Sequence, residues 1–336
     1  MKSRGKGKNE FTNYYNRPIL KKPHWVWHIW FYFWIGGIAG GASAITALVS
    51  LFGDKKSDRS IVQAGRYISL VGLVISPILL ILDLQRPERF LHMLRILKLR
   101  SPLNLGTYIL TSTALLGGIN AARQVVEDGF IAEDSLPGKL ALALSNNATT
   151  QLQGLGGLAL GSYTGVLLSA TAVPLWAETD TVLGPLFLSS SFSSGAAAIS
   201  LLRNLNGVEE AELHRLERIE QAAILSELGL LTYATLTLKP QVRRHLTRGK
   251  YSPFFYGAIL EGMLIPFLLQ LFGPKQGKAV RPLNLLAALL ILGGSFQLRF
   301  AIIEAGKVSA DDPDTYHAIT QGRARPTPAE QAQNKV

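Results

Sequence analysis

The protein has 336 residues, of which 48% are hydrophobic and only 17% are charged, and its formal net charge is +11. Soluble domains carry about a quarter of charged residues, so this composition argues against an ordinary soluble protein. The charges are concentrated in short blocks, and the apolar stretches between them reach the roughly 20 residues that a helix needs to cross a bilayer. Because these stretches are continuous and not alternating, they predict a helical membrane protein and argue against a β-barrel.

Eight apolar stretches predict an all-α integral membrane protein with eight transmembrane helices. In chain order they are residues 26–52, 61–83, 106–125, 151–174, 182–202, 219–238, 253–273 and 281–303. A basic N-terminal arm (1–24) precedes the transmembrane domain (25–304), and a polar tail (305–336) follows it. The arm contains seven Lys and Arg but no cleavage-site pattern, so we expect the first helix to be retained. The charged segment 207–220 predicts a surface helix that leads into the sixth span.

Lys and Arg are distributed unequally between the two faces that these helices define. Side A, with both termini and the loops 84–105, 175–181 and 239–252, carries 21 of them, whereas side B carries 11. The positive-inside rule therefore places both termini in the cytoplasm. We attribute the positive charge to loops that face anionic lipid or an acidic partner, and not to nucleic-acid binding.

The residue types present exclude several redox centres. There is no cysteine, so the protein can hold no iron–sulfur cluster, no thioether-linked haem and no disulfide. His28 is the only histidine within a predicted span, whereas bis-histidine haem needs two on facing helices. No ligand pair has the spacing of a metal site, so we expect neither haem nor metal.

Ionisable residues within the predicted helices are the sharpest functional signal, because each costs a few kcal/mol at the bilayer centre. They are Asp83, Glu227, Glu261, Arg299 and Glu304. Asp83, Arg299 and Glu304 are predicted near side A, where His28 begins the first helix. His28 is either an interfacial histidine or a proton-exchanging group, and Asp83 either pins its helix end together with the arginines that follow or exchanges protons.

Two further polar residues fall within predicted helices. Glu220 and Glu227 are seven residues apart and therefore project from one helix face. They indicate either a proton route or an interhelical hydrogen bond from a protonated carboxyl group. Tyr163, in the fourth predicted helix, needs a partner for its buried hydroxyl group.

Five blocks of sequence make the protein resemble the NrfD family, the membrane subunits of polysulfide reductase-type and related molybdoenzyme complexes. They are WIGGIAGGASA (34–44), LDLQRPERFLHMLR (82–95) with RSPLNLGTYIL (100–110), YTGVLLSATAVPLW (163–176), IPFLLQL (265–271) and GGSFQLRFAIIEAGKVSADDP (293–313). The resemblance covers nearly the whole sequence. Its second and last blocks are the most specific.

The resemblance implies two four-helix bundles, no cofactor of the protein's own, and a quinone site beside a docked iron–sulfur, ferredoxin-like subunit. Through that subunit the protein would communicate with a molybdopterin-type catalytic subunit, in a bacterial cytoplasmic (inner) membrane. In such proteins a histidine early in helix 1 and a tyrosine in helix 4 contact the quinone head, which implies these roles for His28 and Tyr163. Trp25 stands where the family carries an asparagine. In several relatives the quinone face lies outside the cytoplasm, in conflict with the charge count.

The preferred hypothesis is a quinone-reactive subunit in which menaquinol or ubiquinol releases two protons as two electrons pass to an iron–sulfur protein, or the reverse. Its catalytic residues would be His28, Asp83 and Tyr163. The predicted quinone-binding set is Trp25, His28, Asp83, Arg86, Arg89 and Tyr163, and the candidate proton path is Glu220, Glu227 and Glu261. The alternatives are a proton-coupled secondary transporter without a redox role, for which no repeat is evident, and a purely structural anchor.

Overall fold

A computed structural model of the protein describes residues 20, 22–54, 58–84, 87–205, 210–274 and 279–323. Most of these residues are helical, and no strand occurs within these ranges. The helices are α1 (Trp27–Phe52), α2 (Arg59–Asp83), α3 (Arg89–Arg95), α4 (Pro102–Glu127), α5 (Leu136–Leu144), α6 (Asn147–Ser169), α7 (Pro174–Glu178), α8 (Asp180–Leu205), α9 (Glu210–Thr237), α10 (Pro240–Thr247), α11 (Ser252–Ile259), α12 (Ile265–Phe272), α13 (Val280–Ala310) and α14 (Pro313–Arg323), with a π-helical segment (Leu260–Leu264) between α11 and α12.

Five helical segments within the described ranges are long and apolar enough to cross a membrane: α1, α2, α8, the continuous segment from α11 to α12, and α13. Three other long helices, α4, α6 and α9, contain more polar residues. All eight predicted stretches coincide with one of these long helices. The fold is therefore all-helical, and its apolar helices are those of an integral membrane protein.

The helices differ from the prediction at three places. The fourth predicted span extends to residue 174, but α6 ends at Ser169 and α7 begins at Pro174. Val173 between them is extended, because a proline disfavours helical geometry at the residue before it. Residues 210–220 of the charged segment 207–220 form the first part of α9 and lead into the sixth span as predicted, whereas residues 207–209 lie outside the described residues. Glu217 and Glu220 are buried, so this part of α9 is not wholly a surface helix. The last predicted span ended at 303, whereas α13 continues to Ala310, past the predicted domain boundary.

The long helices pack in two neighbouring sets. In one set α1 contacts α2 and α6, and α4 contacts both of these partners. In the other set α8 contacts α9 and α13, and α13 contacts the segment from α11 to α12. α8 also packs on α1 and α6, so it joins the two sets.

Small residues allow the closest of these contacts, because they let helix backbones approach each other. A Cβ atom on Gly41 of α1 would lie 1.8 Å from the carbonyl oxygen of Ser191 in α8. A Cβ atom on Gly40 would lie 2.7 Å from the carbonyl oxygen of Gly157 in α6. The α1 backbone thus touches two other helices directly.

Some of the polar residues that make α4 and α6 less apolar are buried and hydrogen-bonded. The Asn120 amide donates to Gln153 Oε1 at 2.7 Å, and the Gln153 amide donates to the hydroxyls of Ser43 and Ser69 at 3.1 Å each. All four residues are buried. This satisfaction of buried polar groups is what a helix in a bilayer requires, because no water is available there.

Candidate functional site

His28 and Asp83 lie at the same end of the helical domain. His28 is in the first turn of α1, and Asp83 is the last residue of α2. The two helices are antiparallel, since Gly36 faces Ser76 whereas Gly65 faces Thr46 farther along α1. The Asp83 carboxylate is within electrostatic reach of His28, His24 and Lys307. The structure thus brings the predicted imidazole and carboxylate together on side A.

Several buried polar atoms in the side-A half of α1, α2 and α6 have no hydrogen-bond partner within the described part of the protein. They are His28 Nδ1, Tyr32 Oη, Ser76 Oγ and Thr164 Oγ1. Leaving such a group unpaired costs about 1–3 kcal/mol, so most buried polar atoms in proteins have a partner. Unpaired donors and acceptors in one half of the domain are therefore groups to which a ligand with polar atoms can bind.

Tyr163 is buried in α6 and is positioned by a glycine on α4. A Cβ atom on Gly106 would lie 1.8 Å from Tyr163 Cζ and 2.2 Å from its hydroxyl oxygen, so no other residue fits there without moving the ring. Tyr163 is also within electrostatic reach of Tyr32, one turn beyond His28. Two phenol groups thus lie between α1, α4 and α6.

The indole of Trp25 packs against other aromatic rings. It stacks on Trp176 of α7 with a centroid distance of 5.4 Å and meets Phe33 edge-on at 6.2 Å. The Trp25 carbonyl oxygen accepts a hydrogen bond from Lys307 Nζ at 2.6 Å. The structure therefore gives Trp25 a visible packing role between α1, α7 and α13. Arg86 lies outside the described residues, and for Arg89 only the backbone is described.

Lys307 of α13 contributes an ammonium group to this end of the domain. Lys307 Nζ donates to Glu304 Oε1 at 2.5 Å, and Trp30 Nε1 donates to the same oxygen at 3.0 Å. Glu304 is thus on side A, as predicted. Lys307 was missed by the sequence reasoning, although its position three residues after Glu304 places both on one helix face.

Tyr32 and Ser76 were also missed. Tyr32 is only 2% exposed. Its spacing of four residues from His28 was the available signal, because residues i and i+4 of a helix share a face. Ser76 precedes Asp83 by seven residues, again on the same face of its helix, but a lone serine in an apolar helix gives no chemical signal.

Arg299 and Glu227 form a second buried group, away from His28. Arg299 is completely buried, donates to Ser190 Oγ at 2.9 Å and to Ser191 Oγ at 3.2 Å, and packs against Gly37 of α1. Glu227 accepts from Ser193 Oγ at 3.2 Å and interacts electrostatically with Arg299. Arg299 therefore belongs to the contact between the two helix sets, and not to the group around Asp83.

The other acids of the predicted proton path are separated from one another. Glu220 is buried on α9 and accepts a hydrogen bond from Gln270 of α12. Glu261, in the π-helical segment, is exposed and accepts from Gln297 Nε2 at 2.9 Å. Glu220 and Glu227 thus share the buried face of α9, whereas Glu261 lies on an exposed face of another helix.

Comparison with known proteins identifies the family. The model of the family described as "Polysulphide reductase, NrfD" matches residues 18–310. The protein belongs to the NrfD family. A relative named NrfD homolog, from Haemophilus influenzae, is 27% identical over 307 residues, which cover 85% of this protein and 95% of that one. The C subunit of polysulfide reductase from Wolinella succinogenes is 27% identical over 305 residues, covering 84% of this protein and 94% of its own length.

Membership of the NrfD family and the five apolar helices together identify a multi-pass membrane protein. In this NrfD-family protein, side A combines an imidazole, a carboxylate and an ammonium group with unpaired hydroxyls one to two turns deeper. Chemically, such a group can bind a molecule with two or more oxygen atoms and transfer protons between it and the membrane surface.

Proposed function

We propose that this protein is the quinone-reactive membrane subunit of a multi-subunit oxidoreductase. It would exchange electrons between menaquinone or ubiquinone and a partner iron–sulfur subunit. The observation that carries the proposal is that polar atoms of His28, Tyr32, Ser76 and Thr164 have no hydrogen-bond partner among the described residues, in the half of the domain where Asp83 lies within electrostatic reach of His28. A quinone site needs this combination of a few polar groups and apolar walls.

The proposal includes eight membrane spans in two four-helix bundles. Besides the five apolar segments, α4, α6 and α9 would cross the bilayer, because each is long and carries buried polar side chains, Asn120, Gln153 and Glu227, that are hydrogen-bonded inside the protein. The excess of Lys and Arg on side A supports cytoplasmic termini in a bacterial inner membrane.

The residues at the site have distinct parts in the proposed reaction. When a quinol is oxidised, two electrons leave for the partner and two protons must leave the ring oxygens. His28 would accept one proton, because an imidazole titrates close to neutral pH. Asp83, at the end of α2 and within electrostatic reach of Lys307, would relay protons to water. The Tyr163 hydroxyl would hydrogen-bond a quinone oxygen.

The partners follow from what the sequence lacks and from a relative's name. With no cysteine, the protein has no ligands for an iron–sulfur cluster, so an acceptor must come from another subunit. The Wolinella relative is named as one subunit of polysulfide reductase. We therefore propose an iron–sulfur, ferredoxin-like partner on side A and, beyond it, a molybdopterin-type catalytic subunit.

For proton movement across the membrane, the candidates are the buried Glu220 and Glu227, with Glu261 on an exposed face.

The test uses the full-length protein, purified with the subunits that accompany it, and measures oxidation of soluble menaquinol and ubiquinol analogues. We expect His28→Ala and Asp83→Asn each to lower turnover about a hundredfold, the scale of general acid–base catalysis. Matched controls are His92→Ala and Asp134→Asn, whose side chains are exposed elsewhere. They should leave turnover unchanged.

The same preparation discriminates the alternatives. If complexes of normal composition carrying His28→Ala and Asp83→Asn keep full quinol turnover, the site assignment is wrong. If no iron–sulfur subunit accompanies the protein, and the protein by itself moves protons in liposomes when a solute is added, the secondary transporter is the correct function.

A further inference from the structure

A basic cleft lies on side A of the second helix set, far along the sequence from His28 and Asp83. It has a volume of about 300 Å³ and is lined by Pro240, Arg243, Arg244, Thr247, Arg248 and Tyr256. The short helix α10 forms one wall. Tyr256, in the second turn of α11, forms the other at the start of a membrane-spanning segment. The cleft is therefore at the level where a helix enters the bilayer.

The charge of this cleft is only partly balanced. Arg244 pairs with Asp312, and its guanidinium lies 4.0 Å from Asp314. In the described part of the protein, no carboxylate lies within 4 Å of a nitrogen of Arg243 or Arg248, and no acid lines the cleft. Arg243 is held in place by donating to the carbonyl oxygen of Thr235, at the end of α9, at 3.4 Å. Two guanidinium groups are thus available to an anion.

An apolar stripe continues from the cleft along the membrane-spanning segment. Tyr256, Leu260, Leu264 and Leu268 follow at intervals of four residues and are 51%, 55%, 38% and 50% exposed. Since this segment is apolar enough to cross a membrane, the exposed stripe faces acyl chains.

We propose that this cleft, formed by Arg243, Arg248, Thr247 and Tyr256, binds the headgroup of an anionic phospholipid, whose acyl chains lie along the stripe from Tyr256 to Leu268. Guanidinium groups bind phosphate oxygens through paired charge-assisted hydrogen bonds, and basic pockets between membrane helices suit such headgroups. The stripe favours a lipid over an acidic peptide or free phosphate, because neither of these has acyl chains to cover it. The site is independent of the proposed quinone chemistry.

Native mass spectrometry of the full-length protein in detergent provides the test, with dioleoyl phosphatidylglycerol, dioleoyl phosphatidylcholine and inorganic phosphate as separate probes. We expect phosphatidylglycerol to bind about tenfold more tightly than phosphatidylcholine. The double variant Arg243→Gln/Arg248→Gln should abolish that preference, and Arg243→Lys/Arg248→Lys should keep part of it, because the charge remains. A matched control is Arg95→Gln/Arg100→Gln, which removes the same charge from exposed positions on the same face.

Three results would overturn the proposal. Equal binding of the two lipids to the unmodified protein would exclude a headgroup site. An equal loss in both glutamine double variants would mean general attraction to a basic face. Full displacement of phosphatidylglycerol by inorganic phosphate, with no contribution from the acyl chains, would make the cleft a site for free phosphate. Unchanged melting temperatures establish that each variant is folded.

Discussion

Glu227 of α9 and Arg299 of α13 are buried together, and serine hydroxyls of α8 connect them. Ser190 Oγ accepts from Arg299 at 2.9 Å, and Ser193 Oγ donates to Glu227 at 3.2 Å. Both ionisable side chains are at most 3% exposed. Because Arg299 also packs against Gly37, this group connects the second helix set to α1.

The buried pair predicts strong coupling between the two residues. Removing one partner leaves a buried charge without compensation, which costs about 3–5 kcal/mol. We therefore expect Glu227→Met and Arg299→Met each to lower the free energy of unfolding by that amount. The double variant should be more stable than either single variant. Unfolding in mixed detergent micelles measures all three, with the exposed Glu261→Gln as the control; strictly additive losses would show that the pair is not coupled.

The direct backbone contact of α1 with α8 predicts that alanine is not tolerated at Gly41. Its Cβ atom would lie 1.8 Å from the Ser191 carbonyl oxygen, so the helices must separate. We expect Gly41→Ala to lower the free energy of unfolding by about 2 kcal/mol or more, near the upper range for overpacking.

Gly118→Ala and Gly229→Ala are the matched controls, because a Cβ atom there meets nothing within 4 Å. Each should raise stability by up to about 1 kcal/mol through helix propensity. If all three variants melt alike, the close approach of α1 and α8 is wrong.

Length and hydropathy predicted the long helices, because a bilayer requires about 20 consecutive apolar residues in each. They did not predict which helix faces contact each other. In a bilayer any apolar face can contact lipid, so the contacts between helices depend on the shapes of the side chains. For this reason Arg299, assigned to side A from its position near the end of a helix, is found at a contact between helix sets.

Two residues of the candidate site could be predicted from the same contrast between polar and apolar residues. His28 and Asp83 are ionisable residues at helix ends, which stand out against apolar neighbours. Tyr32, Ser76 and Gly106 do not stand out, because they matter only through contacts between α1, α2, α4 and α6. The packing of Gly106 on Tyr163 is an example, since a glycine at the start of an apolar stretch has many common explanations.

Asp312 predicts an acid-sensitive junction between α10 and α14. Burial raises the pKa of its carboxyl group, but hydrogen bonds from Thr315, Arg244 and His245 outweigh burial and bring the pKa to about 2. An unfolded aspartate titrates near pH ~4. The folded pKa is therefore the lower one, so this contribution to stability is complete above about pH 4 and is lost as the pH falls toward about 2.

Hydrogen exchange of the amides of α14, corrected for the intrinsic rate at each pH, measures this loss. Protection of α14 should fall between about pH 4 and about pH 2, whereas that of α8 should change little there. In Asp312→Asn, α14 should be less protected already near neutral pH, and its pH dependence should flatten. A profile for Asp312→Asn that matches the unmodified protein would exclude Asp312 as the responsible group.

The contact of Gly106 with Tyr163 predicts how the proposed quinone site responds to two different changes. Tyr163→Phe removes one hydroxyl and leaves the ring, so kcat/KM for a quinol analogue should fall by up to about tenfold, the contribution of one hydrogen bond. Gly106→Ala must displace the whole ring, because its Cβ atom would lie 1.8 Å from Tyr163 Cζ, and the loss should be larger. The exposed Tyr233→Phe serves as the control. Steady-state kinetics on complexes with unchanged melting temperature gives the answer, and a Tyr163→Phe variant with full activity would exclude a hydrogen bond from this phenol to the quinone.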